Sequence, residues 1–154
     1  MRLGPIESKY YPELHAIHIK AERLFCTDFE AFTVNMNARK GFMVFTDDDK
    51  MIGCISMSNY VPGLDIMCHI TVDPDYHGKW YNMDLHKQVS DYVFNELDVV
   101  RASAYYFEGI NDRTGRFLEK IGFTHEGCIR NGVKDGDKFC NVHMYGLLKE
   151  ERRK

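Results

Sequence analysis

Residues 70–82 read ITVDPDYHGKWYN, and this stretch decides the fold class of the chain. Its β-branched start closes a predicted strand from Leu64 to Val72. A tight loop around Gly78 follows, and the spacing of apolar residues predicts a helix from about Asn82 to Leu97. Such a loop points several backbone amides in one direction, and the helix dipole adds partial positive charge there. The segment suits a phosphate or pyrophosphate, to which Lys79 adds a formal charge, although an ordinary strand-to-helix turn fits the same pattern.

Outward from this segment, apolar periodicity and turn residues divide the rest of the chain into short elements. Antiparallel hairpins at both ends and a β-α-β unit in the centre predict a mixed α/β sheet covered by helices. Because the sequence contains no repeat or linker, residues 1–154 are predicted to form one domain. The remaining predicted elements are helices from Pro12 to Phe25, from Asp28 to Asn37 and from Phe117 to Ile121, and strands from Gly41 to Phe45, from Met51 to Ser58, from Arg101 to Phe107, from Phe123 to Arg130 and from Lys138 to Leu148, with a turn at 131–137.

The composition is that of a globular protein, with 44% hydrophobic and 28% charged residues. A formal charge of −3 without long runs of one sign argues against a nucleic-acid partner held by phosphate contacts. No apolar run is long enough for a membrane span or a signal peptide, so no membrane partner is expected. Five scattered cysteines predict small, mostly buried thiols without a disulfide framework, which suits a cytoplasmic location. They are Cys26, Cys54, Cys68, Cys128 and Cys140.

A second informative stretch is residues 111–130, which read NDRTGRFLEKIGFTHEGCIR. It resembles the C-terminal half of GNAT acetyltransferases of the ribosomal-protein N-acetyltransferase type. Their pattern is Asn-x-x-Ser/Thr, an apolar helix, Glu-Lys-x-Gly-Phe and a later Glu-Gly. Together with residues 70–82 and the order of the elements, the likeness covers about residues 40–150 and is closest to divergent phage and bacterial forms. The matching positions are Asn111, Thr114, Glu119-Lys120, Gly122-Phe123 and Glu126-Gly127.

The resemblance implies a GNAT fold, in which a mixed, mostly antiparallel central sheet is splayed between two central strands and flanked by helices. It also implies acetyl-CoA as co-substrate and no metal. In the family, the strand before the loop pairs with pantetheine, the loop amides bind the pyrophosphate, and the Asn-x-x-Thr segment touches the cofactor from the other side. The cofactor-binding residues implied in this way are Thr71, Val72, His77, Gly78, Lys79, Trp80, Tyr81, Asn82, Asn111 and Thr114.

The loop departs from the family pattern, which is Arg/Gln-x-x-Gly-x-Gly/Ala. His77 stands at the first position, Trp80 at the middle glycine and Asn82 at the last position. Glycine lets a backbone approach a phosphate closely, whereas tryptophan is bulky. Either the Trp80 side chain turns into the core, or the affinity for the cofactor falls. The recurrence of His-Gly-Lys/Arg-Trp in phage and bacterial members favours the first alternative.

Catalytic residues are less clearly indicated. Acyl transfer to an amine needs a neutral amine and a donor to the developing oxyanion, and often an acid for the leaving thiolate. Leu118 stands where some members carry a helix tyrosine. A histidine has an ordinary pKa near 6.5, which suits a base, but His69 among apolar neighbours also fits a hydrogen-bonded core position, and Tyr145 fits packing as well as an acid. The candidates are His69, Tyr145, Asp65 and Glu108.

The resemblance implies an N-acetyltransferase in which the acceptor amine attacks acetyl-CoA directly within a ternary complex. The acceptor is a protein N-terminus, a lysine or a small amine. The alternative is a catalytically inactive GNAT-fold binding or structural module, such as a component of a phage particle, which the altered loop and the missing helix tyrosine favour. Exposed edge strands in this fold also predict a homodimer. No metal is expected, because the pairs His15/His18 and Cys140/His143 lack further ligands at the usual spacing.

Overall fold

The computed structural model describes residues 1–21 and 28–152. They form four α-helices and seven strands in an α/β arrangement. Short 3₁₀ segments at Pro74–Tyr76 and elsewhere join them. The elements are β1 (Arg2–Pro5), α1 (Tyr11–Ala21), α2 (Phe29–Asn37), β2 (Lys40–Phe45), β3 (Met51–Val61), β4 (Asp65–Val72), α3 (Met83–Asp91), β5 (Arg101–Phe107), α4 (Arg113–Lys120), β6 (Thr124–Asp135) and β7 (Lys138–Leu148).

The strands form one open sheet in the order β1-β2-β3-β4-β5-β7-β6. The β1–β2, β2–β3, β5–β7 and β6–β7 pairs are antiparallel, whereas β4 and β5 are parallel. The β4–β5 ladder joins three residue pairs, from Asp65↔Arg101 to Met67↔Ser103, so that residues 68–72 of β4 lie outside it. The predicted mixed, mostly antiparallel sheet flanked by helices is therefore confirmed.

The chain divides into two compact units, the first formed by residues 1–58 and 68–88. Here α1 and α2 bury one face each, with Leu14 and Ile17 of α1 and Phe32 and Met36 of α2 at helical spacing. The start of α2 is fixed by Asp28, whose Oδ1 accepts a hydrogen bond from the Ala31 amide at 2.8 Å. These helices pack on apolar side chains of β2 and β3 to form the core of this unit.

The second unit comprises residues 59–67 and 89–152 of the described chain. It contains β5, the long β6–β7 hairpin and α4. In α4, Leu118 is 2% exposed and packs with Ala104 of β5 and Tyr145 of β7. Close packing requires Gly115, because a Cβ atom there would lie 2.6 Å from the Tyr106 ring.

Several boundaries differ from the prediction. Four-residue β1 pairs with β2 although Arg2–Pro5 has no strand signal of its own, because the partner strand supplies the hydrogen bonds. The helix predicted to Leu97 changes to a π-helical turn at Tyr92–Glu96, closed by the Leu97 amide on the Tyr92 carbonyl. The turn predicted at 131–137 is wrong in its first part, because Asn131 and its neighbours form a bulge and β6 continues to Asp135.

The remaining differences concern the first helix and the cysteines. The end of the helix predicted to Phe25 lies outside the described residues, as does Cys26. The four described cysteines form no disulfide, but only Cys54 is buried and Cys128 is exposed, since its strand β6 is mostly exposed. In the described part of the chain, no helix combines the length and apolar character needed to cross a membrane.

Candidate functional site

The loop after β4 begins with two carboxylates that share one ammonium group. The Lys20 Nζ atom lies 2.7 Å from Asp73 Oδ1 and 3.1 Å from Asp75 Oδ2. This ammonium group holds the pKa of Asp73 below its usual range. Asp73 also accepts a hydrogen bond from the Asp75 amide and donates its own amide to the Ile52 carbonyl at 2.8 Å. The entry to the loop is thus fixed to both α1 and β3, and its acidic charge is partly compensated.

Gly78 gives the loop its turn. Its φ of 80° lies in the left-handed region that glycine adopts without strain. No atom lies within 4 Å of the position of an added Cβ atom, so the space beside the backbone is open. The Lys79 amide donates to the Tyr76 carbonyl at 3.1 Å, while the Lys79 side chain is exposed. An open backbone with an exposed ammonium group beside it is the arrangement that an anionic ligand requires.

The start of α3 supplies further amides. Asn82 caps the helix, because its Oδ1 accepts from the Leu85 amide at 3.0 Å and its carbonyl accepts from the His86 amide. The amides of Met83 and Asp84 in the first turn have no acceptor within the helix and remain for solvent or a ligand. The partial positive charge of the helix N-terminus acts at the same place.

Trp80 is turned into the interior. It is 6% exposed, and its ring meets Tyr81 edge-on at 4.9 Å between centroids. The Tyr81 hydroxyl lies 2.7 Å from His86 Nδ1, and burial raises the pKa of this tyrosine well above its usual value. The bulky residue at the position of the missing glycine thus packs under the loop. The residues of this loop fit a diphosphate group.

The strand that leads to the loop is held close to β3. A Cβ atom at Gly53 would lie 2.2 Å from the Thr71 carbonyl oxygen, so glycine alone permits this approach. The side chain of His77 reaches back, with its Nε2 atom 3.1 Å from the Val72 carbonyl. Thr71 is half-buried and Val72 is buried.

Asn111 and Thr114 lie in the second unit, where they shape the turn before α4. The Asn111 side-chain carbonyl accepts from the Phe107 amide at 2.7 Å, and the Asn111 main-chain carbonyl accepts from the Thr114 amide at 2.8 Å. These hydrogen bonds explain the asparagine at position 111 by local structure, whereas they involve only the backbone of Thr114. The side-chain amide nitrogen of Asn111 takes no part in them.

Two of the four catalytic candidates already interact with neighbouring side chains in their own unit. Asp65 accepts hydrogen bonds from the Ser103 hydroxyl at 2.9 Å on both carboxylate oxygens. Glu108 is exposed and accepts from Asn141 Nδ2 at 2.6 Å. A carboxylate that already accepts hydrogen bonds is less available as a base.

The other two candidates, His69 and Tyr145, are more buried. His69 Nε2 lies 2.7 Å from the Ser58 hydroxyl, and burial, with the charge of Arg39, lowers the histidine pKa to about 4. Tyr145 is 3% exposed and donates to Glu119 Oε1 at 3.2 Å. Burial, then that carboxylate, raise the pKa of Tyr145 to about 12. Both groups are therefore uncharged at neutral pH.

A cavity in the first unit was not predicted from the sequence. Its empty volume is about 330 Å³, including the part open to solvent. Side chains from α1, α2, β3 and β4 meet there, and their separation along the chain leaves no local sequence signal. The lining residues are Leu14, His18, Phe32, Asn35, Met36, Arg39, Cys54, Ser56 and Thr71.

Over residues 1–21 and 28–152, no group of three or more His, Cys, Asp or Glu side chains is placed to hold a metal ion. The expectation of a metal-free protein stays a prediction.

Comparison with known proteins identifies relatives in sequence. The family described as "Acetyltransferase (GNAT) domain" matches residues 7–124. The uncharacterized N-acetyltransferase YnaD of Bacillus subtilis is 26% identical over 115 residues, which cover 75% of this chain and 67% of that protein. The probable N-acetyltransferase YjcK of the same organism is 34% identical over 99 residues, covering 60% of this chain and 52% of that protein.

Solved structures share the fold. A mutant form of the spermidine N-acetyltransferase SpeG from Vibrio cholerae superposes with a TM-score of 0.84 at 16% identity, covering 97% of this chain and 96% of that chain. A chimera of SpeG and hSSAT gives a TM-score of 0.82 at 18% identity, with 97% and 98% coverage. At this identity the likeness establishes the fold alone.

Proposed function

Because this chain belongs to the GNAT family of acetyl-CoA-dependent acyltransferases, we propose that it transfers the acetyl group of acetyl-CoA to an amine in a ternary complex. The observation that supports this most strongly is the loop around Gly78. It combines a left-handed glycine, open space beside the backbone, an exposed lysine and the unpaired first-turn amides of α3.

In the proposed complex, the amide of Gly78 and the first-turn amides of Met83 and Asp84 hold the diphosphate. The Lys79 side chain adds charge, while the Lys79 amide stays bonded to the Tyr76 carbonyl. Thr71 and Val72 pair with the pantetheine arm through their backbone. The cofactor contacts of Asn111 and Thr114 that the family resemblance implies stay predictions. Lys20 serves indirectly, because its ammonium group offsets part of the negative charge of two carboxylates that would otherwise repel the phosphates more strongly.

The reaction needs one bond to form and one to break. The nitrogen of the neutral acceptor amine attacks the thioester carbonyl carbon, the C–S bond breaks, and CoA leaves as the thiol. The proton lost by the amine balances the one gained by the thiolate, through water. Holding both substrates in line provides much of the acceleration, so an active enzyme does not require a strong side-chain base.

The hydrogen bonds of the four catalytic candidates support positioning roles for them. His69 with a pKa of about 4 is a weak proton acceptor at neutral pH, and Tyr145 with a pKa of about 12 is a weak acid. Asp65 and Glu108 are each held by a neighbouring side chain. We therefore assign proton removal to solvent.

The rival proposal is a GNAT-fold module without turnover. The altered loop motivated it, but the burial of Trp80 removes the main physical objection to cofactor binding. A homodimer and a cytoplasmic location stay predictions.

An acceptor screen with thiol detection tests the proposal. Purified protein is incubated with acetyl-CoA and panels of small amines, peptides with free N-termini and lysine peptides, and CoA release is measured. We expect release that depends on both acetyl-CoA and one class of amine. Tight binding of acetyl-CoA without release in any panel would favour the module without turnover.

A further inference from the structure

The cavity beside β4 contains an arginine, Arg39, with which no residue of the described part of the chain forms an ion pair. Of the nine described residues that line it, Arg39 alone carries a permanent charge, and none is acidic. Thr71, assigned above to the pantetheine arm, also lines this cavity, which places the cavity next to the proposed position of that arm.

The guanidinium group is only partly hydrogen-bonded. Its Nη1 atom donates to the Ser56 hydroxyl at 2.9 Å. Its Nε atom is buried and, among the described residues, has no acceptor. Leaving a buried donor unpaired costs about 1–3 kcal/mol, more when the group is charged. The edge formed by Nε and Nη2 is therefore a donor pair that a further group would satisfy.

A carboxylate matches that edge best. Its two oxygens accept two parallel N–H bonds from one guanidinium edge, a geometry that a neutral amide or hydroxyl does not offer. A polyamine has the opposite requirement, since its ammonium groups need carboxylates and would be repelled by Arg39. The lining residues offer no carboxylate for an ammonium group. The positive charge in the cavity thus favours amines that carry a carboxylate over polyamines.

We propose that the acceptor is a small amine that also carries a carboxylate, and that Arg39 binds this carboxylate. The inference rests on the proposed function, since it names the acceptor class of the same site. Apolar walls from Leu14, Phe32 and Met36 accept the carbon chain between the two groups, while the amine extends towards Thr71. Arg39 is then a specificity-determining residue for the acceptor.

Binding to the complex with CoA tests this without requiring turnover. Straight-chain ω-amino acids and diamines of equal length are titrated by calorimetry into protein saturated with CoA. For the wild type, we expect the best amino acid to bind about tenfold or more tightly than the matching diamine. Arg39→Gln should abolish this preference. Arg39→Lys should retain only part of it, because lysine keeps the charge but lacks the planar edge with two parallel N–H donors.

Arg130→Gln, at an exposed arginine of β6, is the matched control and should keep the wild-type preference. If Arg39→Gln does not fold, as judged by circular dichroism, the inference is tested by the preference for amino acids in the wild type and by its partial loss in Arg39→Lys. Equal binding of both series, binding of neither, or an unchanged preference in Arg39→Gln would overturn the inference. The acceptor screen with acetyl-CoA separates this inference from the proposed function. If the amino acids bind but release no CoA in that screen, the proposed function is contradicted and the carboxylate site is not. If diamines are acetylated and the amino acids are not preferred, the carboxylate site is contradicted and the proposed function is not.

Discussion

His69 is kept neutral by its surroundings. Its ring is largely buried, bonded to Ser58, and within the field of Arg39, so its pKa falls from 6.5 to about 4. In the unfolded chain, His69 takes up a proton near pH 6.5, whereas in the folded chain it is protonated only near pH 4. Stability from this residue is therefore complete above pH 6.5 and is lost as the pH falls towards 4.

Replacing His69 by glutamine tests this dependence. Between about pH 7 and about pH 5, the titration of His69 should lower the free energy of unfolding of the wild type by about 2 kcal/mol. His69→Gln cannot titrate, so its loss over the same interval should be smaller by that amount. Urea unfolding at both pH values measures the difference. Equal losses in both proteins would show that the folded state does not disfavour the imidazolium.

In the proposed complex, Gly78 is the residue on which cofactor binding depends most directly. Alanine at φ of 80° costs about 1 kcal/mol, although the space is open, because a Cβ atom disfavours the left-handed region. Gly136, in the β6–β7 turn at φ of 60° and equally open, is the matched control. We expect Gly78→Ala and Gly136→Ala to lower thermal stability alike, and only Gly78→Ala to weaken CoA binding in calorimetry. Equal CoA affinities in the two variants would remove Gly78 from the site.

Tyr145 provides a test of the positioning role. A phenol with a pKa of about 12 transfers its proton poorly to a departing thiolate. We expect Tyr145→Phe to reduce kcat less than about tenfold, because the variant loses only the hydrogen bond to Glu119. A general acid contributes about 10²–10⁴-fold, so a loss in that range would identify Tyr145 as catalytic.

The connection between α1 and the loop after β4 depends on one lysine. Lys20 bonds Asp73 and Asp75 across a long sequence separation. We expect Lys20→Gln to raise the Kd for CoA about threefold, because the two carboxylates then repel the bound phosphates more strongly. The rise in Kd should be larger at low salt, where this repulsion is screened less. Adding Asp75→Asn should recover part of the affinity. Isothermal titration at two salt concentrations measures both effects, and a Kd unchanged in Lys20→Gln would contradict the electrostatic role.

The boundaries of elements with a strong periodic pattern were predicted to within a few residues. Elements that form only by pairing with a neighbouring strand were not predicted. β2, β4, β5 and β7 begin and end within a few residues of the prediction, because alternation and turn residues bound them. β1 is stabilised by pairing with β2, which its own four residues do not indicate. The π-helical turn at Tyr92–Glu96, which buries Val93 and Phe94, was not indicated by the helical spacing of the apolar residues.

For the molecule as a whole, the loop could be predicted from sequence because its features are local. Gly78, Lys79 and the helix cap at Asn82 lie within a few residues of one another. The cavity around Arg39 could not be predicted, because it is assembled from four elements. Lys20 was missed for the same reason, since no short motif joins it to Asp73.

The most direct test of the account compares CoA with a pantetheine that lacks the diphosphate and the nucleotide. The central claim is that the backbone around Gly78, at the start of α3, binds the diphosphate of acetyl-CoA. Calorimetry with CoA should give one saturable site, and acetylated pantetheine should bind at least about a hundredfold more weakly, because the amides and Lys79 lose their anionic partner. Equal affinity for the two compounds, or no heat with CoA at millimolar concentration, would contradict it.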